Sequence, residues 1–246
     1  MATTHPFALS GRSSEPEAVR ADSALLHPIR PLVALWAFLL TLSAGQDIAL
    51  GLGLMSDKVW IFDVDVETGL YTWFSVLLLA GAALATGVIA LERKAAGDPL
   101  RFHWLLLAAI FLALSADEAC ALHEAISGRL TSGLHTSGAL YFAWVIPAGI
   151  AAAVGLFAFV PFIRAFPPAL RALLLGSAAM FLAGAIGMEM IAGAIGAESE
   201  AVMRSGPYRA LVNLEEAMEG GAVILYLAVL VALRRRESPL VTLRLG

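Results

Sequence analysis

Ionisable side chains cluster in the segment between Leu114 and Glu124, whose remaining residues have the composition of a membrane-spanning helix. The segment reads LSADEACALHE and contains Asp117, Glu118 and His123 before its final glutamate. A charged side chain in hydrocarbon costs several kcal/mol unless it is paired, hydrated or bound to an ion. Carboxylates and imidazoles are also the usual ligands of divalent metals. The segment therefore predicts a polar metal site within or beside a membrane.

Further carboxylates interrupt two other apolar stretches. Glu189 lies late in one stretch, between two methionines, and has no oppositely charged neighbour in the sequence. Glu215, Glu216 and Glu219 lie early in the last stretch, at spacings of three and four residues. Like charges at such spacings repel, so in lipid they require protonation, hydration or a shared cation. An exposed first helical turn, capped by Asn213, is the alternative for the first two glutamates.

We interpret these side chains as one metal-binding set: Asp117, Glu118, His123, Glu124, Glu189, Glu215, Glu216 and Glu219. Such an oxygen-rich set, with little imidazole and no thiolate, favours iron or manganese, or calcium or magnesium, over zinc. We therefore predict a divalent metal, iron or manganese. Dimetal sites of helical bundles carry Glu-x-x-His on two helices, and this chain lacks that motif.

The composition is that of a polytopic membrane protein. Of its 246 residues, 59% are hydrophobic and 15% charged, whereas soluble domains are nearer half apolar and a quarter charged. No basic stripe follows a nucleic-acid backbone, which excludes that class of partner. Six apolar stretches each supply the roughly 20 residues of a membrane-spanning helix. They are 31–52, 71–91, 102–126, 139–163, 172–195 and 210–233.

The fold class that follows is all-α, a bundle of six transmembrane helices over residues 29–236. We predict a disordered cytoplasmic tail at 1–28 and a second cytoplasmic tail at 237–246. Because Pro147 falls in the middle of the fourth stretch, we expect it to kink that helix.

The distribution of basic residues predicts the orientation. With a cytoplasmic N-terminus, 12 of the 16 lysines and arginines fall in segments on the cytoplasmic side, as the positive-inside rule requires. The exceptions are Lys58, Arg129, Arg204 and Arg209. Both termini are then cytoplasmic, in the inner (plasma) membrane of a bacterium. Since a helix rises about 1.5 Å per residue, the acidic residues reach one depth near the non-cytoplasmic face.

Local geometry limits how many of these side chains can meet. Asp117 and Glu124 are two helical turns apart and share a face, whereas Glu118 and His123 point elsewhere in a regular helix. Unwinding or a π-bulge near Ala121 would let more of them converge.

The first outer loop, 59–74, alternates apolar residues with Asp63, Asp65 and Glu67 and is flanked by tryptophans. Its acids resemble half of a calcium loop. We interpret it instead as a solvated cover over the site, anchored at the membrane interface by its aromatic residues.

Three patterns together resemble a family of bacterial six-span membrane proteins of uncharacterised function. They are the loop 60–74, the motif Ser-x-Asp-Glu…His-Glu that ends at Glu124, and the motif Glu-Glu-x-x-Glu that ends at Glu219. The likeness covers about residues 30–236. It implies a fold and no reaction.

Three functions are compatible with these features. A metal-dependent membrane enzyme would act on a lipid or another lipophilic substrate, with a carboxylate as base. A cation- or proton-coupled carrier needs acids along a whole path, but the inner halves of the stretches are apolar and show no internal repeat. A non-catalytic subunit of a membrane assembly would use the acids for docking or a structural ion. The expected partners are the bilayer, a lipophilic substrate or other membrane proteins.

Overall fold

A computed structural model of the protein describes residues 28–196 and 199–237. Every regular element among these residues is helical. The predicted tails, 1–28 and 237–246, lie outside the described residues except for the innermost residue of each.

Ten α-helices follow one another along the described chain. They are α1 (Arg30–Gly51), α2 (Leu70–Ala95), α3 (Arg101–Cys120), α4 (Leu122–Leu134), α5 (Val145–Ala158), α6 (Val160–Ala165), α7 (Pro168–Leu182), α8 (Glu189–Gly196), α9 (Glu200–Met203) and α10 (Gly206–Glu237). A π-helical turn, Ala183–Met188, joins α7 to α8 without a break.

Five of the resulting helices are long and apolar enough to cross a membrane: α1, α2, α3, α10 and the continuous helix Pro168–Gly196. Each has the length that the hydrocarbon core of a bilayer requires. These helices indicate a membrane protein.

The predicted fourth span, 139–163, is not one long helix. It consists of α5, with 14 residues, and α6, with 6, and Phe159 separates them. Pro161 in the first turn of α6 explains the break, because its ring clashes with the carbonyl of the preceding turn and it donates no backbone hydrogen bond. Pro147 lies in the first turn of α5, where proline is tolerated, so the expected kink at that residue is wrong.

Helix α10 is the centre of the bundle and packs against α1, α2 and α7. The Tyr71 hydroxyl donates a hydrogen bond to the backbone carbonyl of Glu216 at 2.5 Å. A Cβ on Gly220 would lie 2.8 Å from that same hydroxyl, so only glycine allows this approach. Further along, the buried hydroxyls of Thr86 and Tyr226 lie 2.7 Å apart. These contacts fix α10 against α2 over several turns.

Ion pairs join the C-terminal ends of α2 and α10. Arg93 pairs with Glu237, and Arg234 pairs with Glu92. Arg93 also lies 3.4 Å from Asp98, in the turn before α3. Basic residues of two predicted cytoplasmic segments therefore meet at one end of the bundle.

Candidate metal site

A cavity of about 570 Å³ lies among α3, α4, α5, α7, α8 and α10. All eight predicted metal ligands line it: Asp117, Glu118, His123, Glu124, Glu189, Glu215, Glu216 and Glu219. Asp65 and Glu67, from the outer loop, line it as well. Acidic residues that are far apart in the sequence are thus brought to one cavity.

A left-handed residue brings the two halves of the Asp117–Glu124 motif together. Helix α3 ends at Cys120, six residues before the end of the predicted third span, and Ala121 has φ 47° and ψ 45°. This conformation costs an alanine roughly 1–2 kcal/mol. A carboxylate oxygen of Asp117 accepts the backbone N–H of His123 at 2.8 Å, which satisfies a free donor in the first turn of α4. The chain therefore turns where the sequence allowed for unwinding.

The ring of His123 is held from two sides. Its Nδ1 lies 3.0 Å from the second carboxylate oxygen of Asp117, and its centroid is 5.3 Å from that of the Trp144 ring. Burial by itself lowers the pKa of His123. The hydrogen bond to Asp117 and the negative charges of Asp117, Glu67 and Glu189 outweigh burial and raise that pKa to about 9. The imidazole therefore lies in a strongly negative environment.

Three side chains at the acidic end of the cavity lie close enough together to hold a metal ion. One ligand atom from each of Glu67, His123 and Glu124 lies within 4.8 Å of the other two. Glu67 Oε2 is buried and has no hydrogen-bond partner among the described residues. Burial is the main cause of the raised pKa of Glu67, and the charge of His123 opposes it.

Glu67 was missed as a ligand because we interpreted its loop as a cover. The signal that could have identified it is the alternation of acids with apolar residues along 59–74. That loop leads into α2, which packs against α3 and α10, two helices that carry other carboxylates of the cavity.

A tight turn positions Glu67. The Val66 carbonyl accepts hydrogen bonds from the Gly69 N–H at 2.7 Å and from the Thr72 hydroxyl at 3.0 Å. A Cβ on Gly69 would lie 2.9 Å from the same carbonyl oxygen and 3.0 Å from that of Asp63. The turn therefore requires glycine at this position. Because Glu67 lies between Val66 and Gly69, which are joined by a hydrogen bond, the turn fixes its backbone.

A network of ion pairs and hydrogen bonds joins this loop to the bundle. This outer ion-pair network consists of Asp47, Lys58, Asp63, Arg209 and Asn213. The ammonium of Lys58 lies 2.9 Å from a carboxylate oxygen of Asp47 and 2.8 Å from one of Asp63. Arg209 Nε lies 3.1 Å from Asp47, and the Asn213 amide donates to Asp47 at 2.8 Å. The network thus accounts for two of the four exceptions to the predicted charge bias.

Close helix packing brings the deeper glutamates together. In the π-helical turn, a Cβ on Gly184 would lie 3.0 Å from Glu219 Cγ and 3.2 Å from the backbone carbonyl oxygen of Glu215, so a larger residue would have to displace α10 by a few tenths of an ångström. Because a π-turn changes the face that the following residues present, it also contributes to the position of Glu189. The carboxyl groups of Glu189 and Glu215 lie close enough to interact electrostatically.

The cavity carries more acid than the described chain neutralises. Among the residues that line it there is no lysine or arginine, and His123 is the one side chain that can carry a positive charge. Adjacent carboxylates in a low-dielectric site ionise together only when a cation lies between them; otherwise they share protons. Chemically, the arrangement suits binding a cation or holding several protons.

A family model described as a domain of unknown function (DUF8692) matches residues 29–233. This match covers most of the chain, which therefore belongs to that family. Searches among curated proteins and among solved structures found no match.

Proposed function

We propose that this member of the DUF8692 family is a multi-pass membrane protein that binds a divalent metal through Glu67, His123 and Glu124. The observation that carries the proposal is the convergence of these three ligand atoms within 4.8 Å. Metal–ligand distances of roughly 2 Å place neighbouring ligand atoms roughly 3 to 4 Å apart. The unpartnered, buried oxygen of Glu67 supports the same assignment, since buried polar atoms ordinarily have a partner.

Asp117 has a different role in this proposal from the one its spacing indicated. It holds Nδ1 of His123 at 3.0 Å, which leaves Nε2 for the metal. A carboxylate behind a ligating histidine fixes the ring orientation and raises its basicity. We therefore assign Asp117 as a positioning residue rather than a ligand.

Iron or manganese remains our choice of metal, because two of the three proposed ligands are carboxylates. The deeper glutamates adjoin this centre, and we propose that they complete its ligand set or hold protons for it. They are Glu118, Glu189, Glu215, Glu216 and Glu219.

The proposed activity is that of a metal-dependent enzyme acting on a lipophilic substrate. A bound metal would supply a Lewis acid or an activated water, and a neighbouring carboxylate would act as base. Apolar walls continue from the acidic end of the same cavity, and this continuity favours an enzyme over a carrier, which needs polar groups along its whole path.

The proposed topology keeps six crossings and cytoplasmic termini in a bacterial inner membrane. The pair α5 and α6 provides the remaining crossing, which is the fourth in chain order. From Val145 to Ala165 the pair has 21 residues, which is the length that a span requires. The charge bias supports a position of the metal site near the non-cytoplasmic face.

Metal analysis of the purified full chain tests the proposal. We expect bound metal in the unmodified protein and its loss in Glu67→Gln and His123→Gln. In Asp117→Asn the affinity should fall roughly 10- to 100-fold without complete loss. Glu200→Gln is the matched control, because that side chain is 88% exposed and does not line the cavity. Absence of metal from the unmodified protein after reconstitution, or retention in both ligand variants, would contradict the proposal.

A further inference from the structure

The cavity continues below the carboxylates as an apolar limb. Leu107, Phe111 and Leu114 line it from one face of α3, and Ala148 and Ala152 line it from α5. Both sets follow helical spacings of three and four residues, so each represents a single helix face. The limb is therefore a space between two continuous helix faces.

Helix α5 creates this space by the way its residues are distributed. Three of its large side chains lie outside the cavity lining and are exposed: Ile150, Val154 and Phe157, at 63%, 64% and 84%. The face that borders the cavity carries alanine or glycine at four of its five positions, and Leu156 occupies the fifth. Because protein interiors are close-packed and empty apolar volume is destabilising, a limb of this kind calls for an occupant.

Aromatic rings close the far end of the limb. Phe159 and Phe162 both line the cavity, and their ring centroids lie 5.5 Å apart. Phe162 also packs on Trp104 at 4.8 Å and stacks on His103 at 5.9 Å. The cavity thus has a polar end and a blind apolar end.

The length of the limb limits the size of its occupant. Below Glu219, the last carboxylate of α10, the cavity lining continues to Tyr226, seven residues and roughly 10 Å at about 1.5 Å per residue. An extended alkyl chain advances roughly 1.3 Å per carbon, given carbon–carbon bonds of about 1.5 Å. The limb therefore accommodates roughly eight carbons in one chain.

We propose that the cavity binds a single linear alkyl chain in this limb, with an uncharged or cationic polar head at the carboxylates. An anionic head is disfavoured because no lysine or arginine is present among the described lining residues. The inference deepens the proposed function by naming the substrate class. It rests on that function only for the chemistry at the head, since the limb itself needs no metal.

Photolabelling of the purified full chain tests the inference. The probe is an alkylamine of roughly eight carbons, the length of the limb, with a diazirine at the chain terminus, and its partner probe is the fatty acid of equal length. We expect the amine to label residues around Phe111, Phe159 and Tyr226, and the fatty acid to label them more weakly. Ala152→Phe and, as a smaller change, Ala148→Leu should abolish this labelling because each fills the limb.

Ala153→Phe is the matched control, since Ala153 is exposed and does not border the cavity. Labelling that is confined to the outer surface, or that survives both cavity variants, would overturn the inference. Stronger labelling by the fatty acid would overturn the assignment of the head.

Metal content measured on the same samples separates the two proposals. Labelling that is blocked by Ala152→Phe in a protein without metal supports the chain site and contradicts the metal function. Bound metal with labelling that neither cavity variant affects supports the metal function and contradicts the chain site.

Discussion

Two groups of carboxylates lie near the same end of the bundle and differ in how their charge is balanced. In the outer ion-pair network, Asp47 and Asp63 face Lys58 and Arg209 at distances of 3.1 Å or less. In the cavity, nine carboxylates face one imidazole, that of His123. The carboxylates of the network are neutralised by cationic side chains of the same protein. The cavity depends on protons or on a cation from outside, and this difference separates structural acids from candidate functional ones.

Position in the sequence does not reveal this difference. Asp47 lies late in the first predicted span, as Glu189 lies late in the fifth. Two cations and an amide surround Asp47, whereas Glu189 lies beside another glutamate and shares the single imidazole of His123 with the rest of the cavity. A buried carboxylate that is paired with cations of the same chain contributes to the structure, whereas a group of buried carboxylates with too few cations indicates a functional site.

Breaking the network should have the largest effect on stability. Lys58→Met leaves Asp63 without its cation and Asp47 with one instead of two, so we expect the free energy of unfolding to fall by roughly 3 kcal/mol. Equilibrium unfolding in mixed micelles measures this change. Arg234→Met is the matched control, since it breaks a half-exposed pair with Glu92 that is worth less than about 1 kcal/mol. Equal losses in the two variants would contradict the comparison.

The one cation of the cavity should make stability depend on pH. The folded-state pKa of His123 is about 9 and its unfolded value 6.5, so the stabilisation is fully present below pH 6.5 and is lost as pH rises through 9. In metal-free protein we expect a loss of roughly 2 kcal/mol over that interval, measured by the same unfolding assay. The variant Asp117→Asn removes the main cause of the raised pKa and should flatten the curve. A rise in stability over this interval would refute the prediction.

Removing a cavity charge should have the smallest effect, and the opposite sign to Lys58→Met. Glu216→Gln keeps the shape of the side chain and reduces repulsion within the acidic group, so stability of the metal-free protein should stay unchanged or rise by up to about 1 kcal/mol. Its backbone carbonyl still accepts the hydrogen bond from Tyr71. Thermal unfolding in detergent provides the measurement. A loss as large as that in Lys58→Met would show that Glu216 is neutralised as Asp47 is.

The long helices were predictable because an apolar run of sufficient length has one stable form in lipid. The second predicted span, 71–91, corresponds to α2, Leu70–Ala95, whose last turn is basic and therefore lay outside the hydropathy limit. The fourth was predicted as one helix because hydropathy continues across the break that precedes Pro161. An apolar composition indicates that a segment lies in lipid, but it does not indicate whether the segment forms one helix or two.

The candidate site was predicted in part. The helical carboxylates were found because a charge stands out in an apolar span, whereas Glu67 lies in a polar loop where acids are ordinary. No local sequence pattern predicts that Ala121 has a left-handed backbone conformation or that Ala183–Met188 is π-helical. Both depend on contacts with other helices, which a sequence window does not contain.

Sequence alone determined that this chain is helical, apolar and rich in carboxylates at one end of its helices, because composition and spacing express the demands of the bilayer directly. Tertiary structure decided which acids are neutralised and which are not. Lys58 reaches Asp47 from the loop that follows α1, and Arg209 reaches it from α10 at the other end of the chain, whereas no lysine or arginine of the described chain borders the cavity. The balance of charge depends on distances in space, and those exist only once the helices have packed.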